Sequence, residues 1–255
     1  MQETSLDRGM SALLGIQPQH AGYAALVLFF AYLVRGIAGF GSGLIAVPLL
    51  SLAFPVPSVV PVVVALDYIG SLGQSTGNLR RIAWKEQLAL VPFMVVGVGL
   101  GLFALRAVPA GVLAKVLGGF VVLYAIYQML PLPPIRASAW VASVCGLLGG
   151  LVGTLFGTGG PFYVIYFNLR TLDKAAFRAT FAANFLIDGG IRLVAYLILG
   201  VLDRTTLTYL LAALPVSAAA LYVGGRIHTG LSQRTFVRLI SLLLLGSGAA
   251  LLLRR

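Results

Sequence analysis

Charge is what this sequence has least of. Asp, Glu, Lys and Arg make up only 10% of its 255 residues, against about a quarter in a soluble domain. That shortage excludes a water-soluble globular fold. Cysteine occurs once, at Cys145, which excludes an internal disulfide and a multi-cysteine metal site. The two histidines, His20 and His228, fall at the ends of apolar runs with no partner at ligand spacing, so no metal is expected. No Ser/His/Asp order, no HExxH and no P-loop lysine occurs, so the sequence predicts neither an enzyme nor a cofactor. The net charge of +11 is spread through short loops and forms no basic patch interleaved with aromatics, so nucleic acid is not an expected partner. The start, MQETSLDRGM, carries Glu3 and Asp7 and lacks the basic region of a cleaved signal peptide.

Apolar sequence fills the space left by charge. Hydrophobic residues make up 59% of the chain. Several runs reach the roughly 20 residues that cross a bilayer as a helix. They do not alternate as the strands of a membrane barrel do. The expected class is an all-α polytopic membrane protein, with the lipid bilayer as a partner. Residues 1–19 read as a leader. Two runs, 20–54 and 137–169, are too long for one span, and each has glycines at its middle: GIAGFGSGLIAVP from Gly36 to Pro48, and GTLFGTGGP from Gly153 to Pro161. Ordinary spans are expected at 57–77, 86–106 and 111–131, and again at 176–200, 206–224 and 235–253.

The chain therefore reads as two repeats, 20–131 and 137–253, divided at Pro131, Pro133 and Pro134 and forming one domain. An offset of 123 pairs Pro92 with Pro215, Gly101 with Gly224 and Lys115 with Arg238, and an offset of 117 pairs Asp67 with Asn184. Loop charges choose the topology. If both long runs cross once, the basic residues divide evenly between the two sides. If each run is a hairpin, one side holds Arg80, Arg81, Lys85, Arg136, Arg170, Lys174, Arg178, Arg226, Arg234 and Arg238. The other side then keeps Arg8, Arg106, Lys115, Arg204, Arg254 and Arg255, which follows the positive-inside rule. Each repeat is then a broken-helix hairpin plus three transmembrane helices. An odd number of crossings gives the repeats inverted topology, a common transporter architecture.

The chemistry is expected at the two glycine tips and on the spans after them. Ser42 is expected to cap a short helix at the first tip. At the second, Gly160 is expected as cap, with Pro161 at the first helical position. A helix N-terminus offers free N–H groups to an anion, so Gly39, Gly41, Ser42, Gly43, Gly157, Thr158, Gly159 and Gly160 are candidate substrate contacts. Close helix packing is the other reading of these glycines. Asp67, Ser71 and Ser75 share one helical face, with Gln74 and Asn78 beside it, and Asn184, Asp188 and Arg192 share another. Charges inside a membrane are costly and usually serve function. Gln74, Asn184 and Arg192 are candidate substrate contacts, and Asp67 and Asp188 are candidate proton carriers. Asp188 and Arg192 read equally as an internal ion pair. Arg35 reads either as a cavity residue or as a structural hydrogen-bond donor. Tyr163 and Tyr166 read as packing or interface anchors.

With GFGSGLIAVPLL, GTLFGTGGP and the paired Pro92 and Pro215 segments in view, the chain resembles the sulfite exporter TauE/SafE family from about residue 21 to 253. It departs from many members at Pro161, where they carry a third glycine. The resemblance implies a multi-pass protein of the bacterial inner membrane. It also implies transport of a small sulfur-containing anion, such as sulfite or an organosulfonate like sulfoacetate, usually outward and coupled to protons. The expected function is export of such an anion by alternating access, with protons as the coupling partner and a homodimer allowed. A channel or importer for another small ion, or a non-transporting assembly partner, is the alternative.

Overall fold

The computed structural model describes residues 18–39, 41–74, 79–130, 139–170, 172–227 and 233–253. The leader before residue 18, Ser75, Asn78, the dividing prolines with Arg136, and His228 lie outside them. So does the side chain of Gln74. Among the described residues ten α-helices form in chain order: α1 Pro18–Ala38, α2 Ser42–Leu50, α3 Val56–Gln74, α4 Trp84–Ala107, α5 Ala110–Met129, α6 Ala139–Phe156, α7 Gly160–Asn168, α8 Lys174–Ile198, α9 Arg204–Arg226 and α10 Gln233–Leu253. Five of these contain 20 residues or more of sufficiently apolar helix to cross a membrane: α1, α4, α5, α8 and α9. Leu26, Phe103, Leu123 and Ile198 lie exposed on the outside. Apolar exteriors suit lipid and not water. The chain is a polytopic all-helical membrane protein.

Both overlong runs break at their glycines. Gly39 (φ 83°), Gly41 (φ 99°) and Gly157 (φ 66°) adopt left-handed backbone, which glycine enters without penalty. Each long arm closes in the same way. The Gly39 N–H donates to the Arg35 carbonyl at 2.6 Å, and the Gly157 N–H donates to the Gly153 carbonyl at 2.9 Å. The chain then turns back. Tyr23 near the start of α1 donates to the Leu49 carbonyl near the end of α2 (2.7 Å), and the rings of His20 and Phe54 meet at 5.9 Å. The first run is therefore a hairpin whose two ends lie close together. One expectation fails in detail. Gly41 and Gly159, not Ser42 and Gly160, occupy the cap positions, and neither helix has a side-chain cap. The left-handed turn at Gly41 places Ser42 in the first turn, where its hydroxyl is aimed elsewhere.

The hairpin arms pack on the opposite half. Helix α1 runs along α9, α6 runs along α4, and α5 pairs with α10. Small residues allow backbone-to-backbone approach. A methyl at Gly36 would lie 2.6 Å from the Leu221 carbonyl oxygen, one at Gly146 would lie 2.8 Å from that of Leu90, and one at Gly118 would lie 2.8 Å from that of Gly248. Helices α3 and α8 cross at the centre and carry the charged residues. At the membrane edge Asp203 caps α9 by accepting the Thr206 N–H (2.7 Å). That bond holds its carboxyl below the usual range. The cap is therefore intact above ordinary carboxylate pKa values and lost as pH falls through the lowered one.

Candidate functional site

The two glycine tips touch. A methyl on Gly43 would overlap the Gly157 carbonyl oxygen and would come within 3.5 Å of Asp67 Oδ2. Behind the first tip, three donors converge on one carboxylate oxygen. Asp67 Oδ1 accepts from Tyr32 Oη at 2.6 Å and from Ser42 Oγ at 2.6 Å. It also pairs with the Arg35 guanidinium at 2.6 Å. Arg35 donates further to the Asp67 carbonyl (3.0 Å) and to Ser71 Oγ (2.7 Å). All five residues are buried. A buried ion pair holds only if its remaining hydrogen-bonding groups are matched. Here Arg35 Nε alone stays unpartnered among the described residues.

A second cluster lies behind the second tip. Arg192 Nε donates to Asp188 Oδ1 at 3.1 Å, and its terminal nitrogen pairs with Asp188 Oδ2. Arg192 also donates to the Gly153 carbonyl at 2.9 Å. Tyr163 Oη donates to Asp188 Oδ1 at 3.0 Å. Glycine is required where the guanidinium lies on the hairpin arm, since a methyl on Gly153 would sit 2.5 Å from it. Tyr163→Phe removes one donor from Asp188 and keeps the ring. Its expected cost is about 1 kcal/mol, read as a lowered melting temperature of the purified protein with transport retained.

Between the clusters lies a cavity of about 20 Å³ lined by Val64, Asp67, Tyr68, Gly157, Gly159, Phe185, Asp188, Gly189 and Arg192. It has room for about one water. Asp67 and Tyr68 come from α3, and Asp188, Gly189 and Arg192 from α8, so each half supplies one carboxylate to the same space, with Arg192 on its wall and Arg35 behind Asp67. The hydroxyl of Thr158 at the second tip is buried without a partner among the described residues. The geometry suits a small anion, with helix ends and one guanidinium on its wall, a second guanidinium behind Asp67, and two carboxylates able to carry a proton.

The sulfite exporter TauE/SafE family matches residues 24–251. The chain belongs to that family. It is therefore a membrane transporter and not an enzyme, and it is a multi-pass protein of the bacterial inner membrane. Two relatives of this TauE/SafE protein carry names. The probable sulfite/organosulfonate exporter TauE of Cupriavidus necator is 29% identical over 226 residues, covering 85% of this chain and 88% of that one. The probable inner membrane transporter protein TsaS of Comamonas testosteroni is 26% identical over 193 residues, covering 74% and 80%. No solved structure matches the chain.

Within this TauE/SafE fold the expected residues divide. Asp67, Asp188, Arg192, Gly157 and Gly159 line the central cavity. Ser42 and Gly43 sit directly behind it against Asp67. Gly39 and Gly41 shape the turn, and nothing lies within 4 Å of where their side chains would be. Gly160 starts α7 beneath the Phe185 ring. Asn184 is buried but is not among the lining residues; its Oδ1 accepts from Gln87 Nε2 of α4 at 2.9 Å. Tyr32 and Tyr163 bond the two carboxylates although the sequence did not single them out for this, and Arg35, left open between cavity and structural roles, pairs with Asp67. Their signal was an arginine one helical turn before Gly39, a tyrosine two turns before it, and a tyrosine one turn after Gly159.

Proposed function

We propose that this protein exports a small sulfur-containing oxyanion, sulfite or an organosulfonate, by alternating access coupled to protons. The observation that carries the reading is the pair of buried Arg–Asp couples, Arg35–Asp67 and Arg192–Asp188, whose two carboxylates and one guanidinium, that of Arg192, line one cavity where the two tips meet. As drawn, the formal charge of the two couples together is zero. An incoming anion leaves an uncompensated charge in the membrane interior, which is costly. Protonation of Asp67 or Asp188 removes that charge and frees an arginine for the anion. One proton therefore travels with each anion. A divalent anion still leaves with net negative charge, which an inside-negative potential drives outward.

The two halves, 20–131 and 137–253, act as inverted repeats. The hairpin closure of the first run and the exchange of partners, α1 on α9 and α6 on α4, support that reading. The family's description and the name of the Cupriavidus necator relative supply the sulfur chemistry of the substrate. Purified protein in liposomes is the test. Saturable sulfite or sulfoacetate efflux is expected, with matching alkalinisation inside the vesicle. Flux that never saturates, or that moves no protons, overturns the reading.

A further inference from the structure

Helix α8 carries a polar residue every fourth position: Thr180, Asn184, Asp188 and Arg192, all buried. Only the last two face the central cavity. The other two point toward α4. Thr180 Oγ1 accepts the Ala83 N–H at 2.9 Å, and Asn184 is bonded to Gln87. Gln87 and Asn184 are both fully enclosed, yet Gln87 Oε1 and Asn184 Nδ2 have no partner among the described residues. Turning both amides over exchanges their atoms and still leaves one donor and one acceptor unmatched. Buried polar groups of this kind are normally satisfied.

One residue away on α4, Glu86 opens onto a different space. A cavity of about 630 Å³ lies between α4, α6 and α7, with Lys85, Glu86, Ala89, Tyr166 and Arg170 on its walls. Glu86 accepts from Tyr166 Oη at 2.6 Å and pairs with Arg170 at 2.9 Å. Gln87 and Asn184, which line neither cavity, thus lie between Glu86 at this mouth and Asp188 at the centre. The repeat-equivalent positions keep only part of this arrangement, with Asp67 at the place of Asn184. The offset of 117 puts Val63 opposite Thr180 and Ala53 opposite Arg170. The offset of 123 puts Tyr209 opposite Glu86 and Leu210 opposite Gln87. The first half's corresponding cavity, about 190 Å³, is walled by alanine, valine and leucine with Ser58 and Tyr209.

We propose that the transported anion enters the central site through the second half, with the Gln87–Asn184 pair as a relay that holds it on the way. This rests on the transport reading above. The relay offers one donor and one acceptor, which fits a small oxyanion carrying its own proton or a bound water. Val63 and Leu210 stand at the repeat-equivalent places of Thr180 and Gln87, so this relay is not repeated, although Asp67 matches Asn184.

The first test is sulfite flux through the full chain in liposomes. Gln87→Leu copies the residue that the other half carries at this place, and its flux should fall at least tenfold while sulfite still raises the melting temperature as in the unaltered protein. Flux within twofold of the unaltered protein overturns the relay and leaves the transport reading standing. The second test does not depend on flux or on Gln87. In a Cys145→Ala background, Ala89→Cys in the charged cavity and Ala212→Cys in its apolar counterpart are labelled with a thiosulfonate reagent bearing a sulfonate anion. Ala89→Cys should react at least tenfold faster, and sulfite should slow it. Equal rates, or a faster Ala212→Cys, overturn the one-sided route whether or not the protein moves sulfite.

Discussion

Asp67→Asn is expected to abolish proton-coupled net efflux, by at least a hundredfold, while anion-for-anion exchange across the membrane survives. The geometry makes this substitution unusually selective. The observed bonds from Tyr32 and Ser42 end on Asp67 Oδ1, and an asparagine can keep that oxygen. The atom that changes is the other one, nearest Gly43 at the tip. What is lost is the charge, and with it the proton. Arg35 then has no counter-charge, and removing one partner of a buried pair costs about 3–5 kcal/mol. A bound anion supplies the missing charge. Sulfite should therefore stabilise Asp67→Asn against heat more than it stabilises the unaltered protein. Exchange needs only the loaded carrier to reorient, whereas net efflux needs the carboxylate to release its proton and return. Net efflux that keeps its rate and its pH dependence in the variant would rule out Asp67 as the proton site. Loss of exchange together with net flux in a folded variant would do the same.

Gly43→Ala should be as severe for a different reason. Its added methyl would meet a backbone carbonyl, that of Gly157, and not a movable side chain. Gly157 is itself fixed by a left-handed backbone and by its bond to Gly153. The tips must separate, and overpacking of this kind costs about 1–3 kcal/mol or more. Transport is expected to fall below about one hundredth because the two walls of the site lose register, and sulfite should no longer raise the melting temperature. Gly99→Ala on α4, with open space around it, is the control and should transport normally. A Gly43→Ala protein that transports normally would show that the tip contact is not part of the site.

Much of this was legible in the chain. The helix breaks were visible because a run of about 35 residues cannot cross straight, and glycine clusters mark where it yields. Asp67, Asp188 and Arg192 stood out because charge is so rare among these spans. The rest needed three dimensions. Arg35 was ambiguous until the fold-back of the hairpin brought it onto α3. Tyr32 and Tyr163 were hidden because tyrosine usually anchors at the interface or packs in the core. Asn184 was assigned to the cavity from its spacing with Asp188, but helix geometry turns each fourth residue slightly further round, and α4 stood ready with Gln87. Ser42 was expected to cap a helix. Gly41 took the turn, and the serine hydroxyl was left free to reach Asp67.

The partnership of α1 with α9 also bears on how the protein is made. Gly36 meets Leu221 and Gly224, so the first hairpin leaves the ribosome about ten to forty seconds before its packing surface exists, at ordinary elongation rates of roughly 5–20 residues per second. Its glycine face waits against lipid for that time. Arg35 does not have to wait, because Asp67 follows within the same nascent segment and neutralises it. The order of synthesis thus pairs the first charge early and leaves only an uncharged seam for the last third of the chain to close.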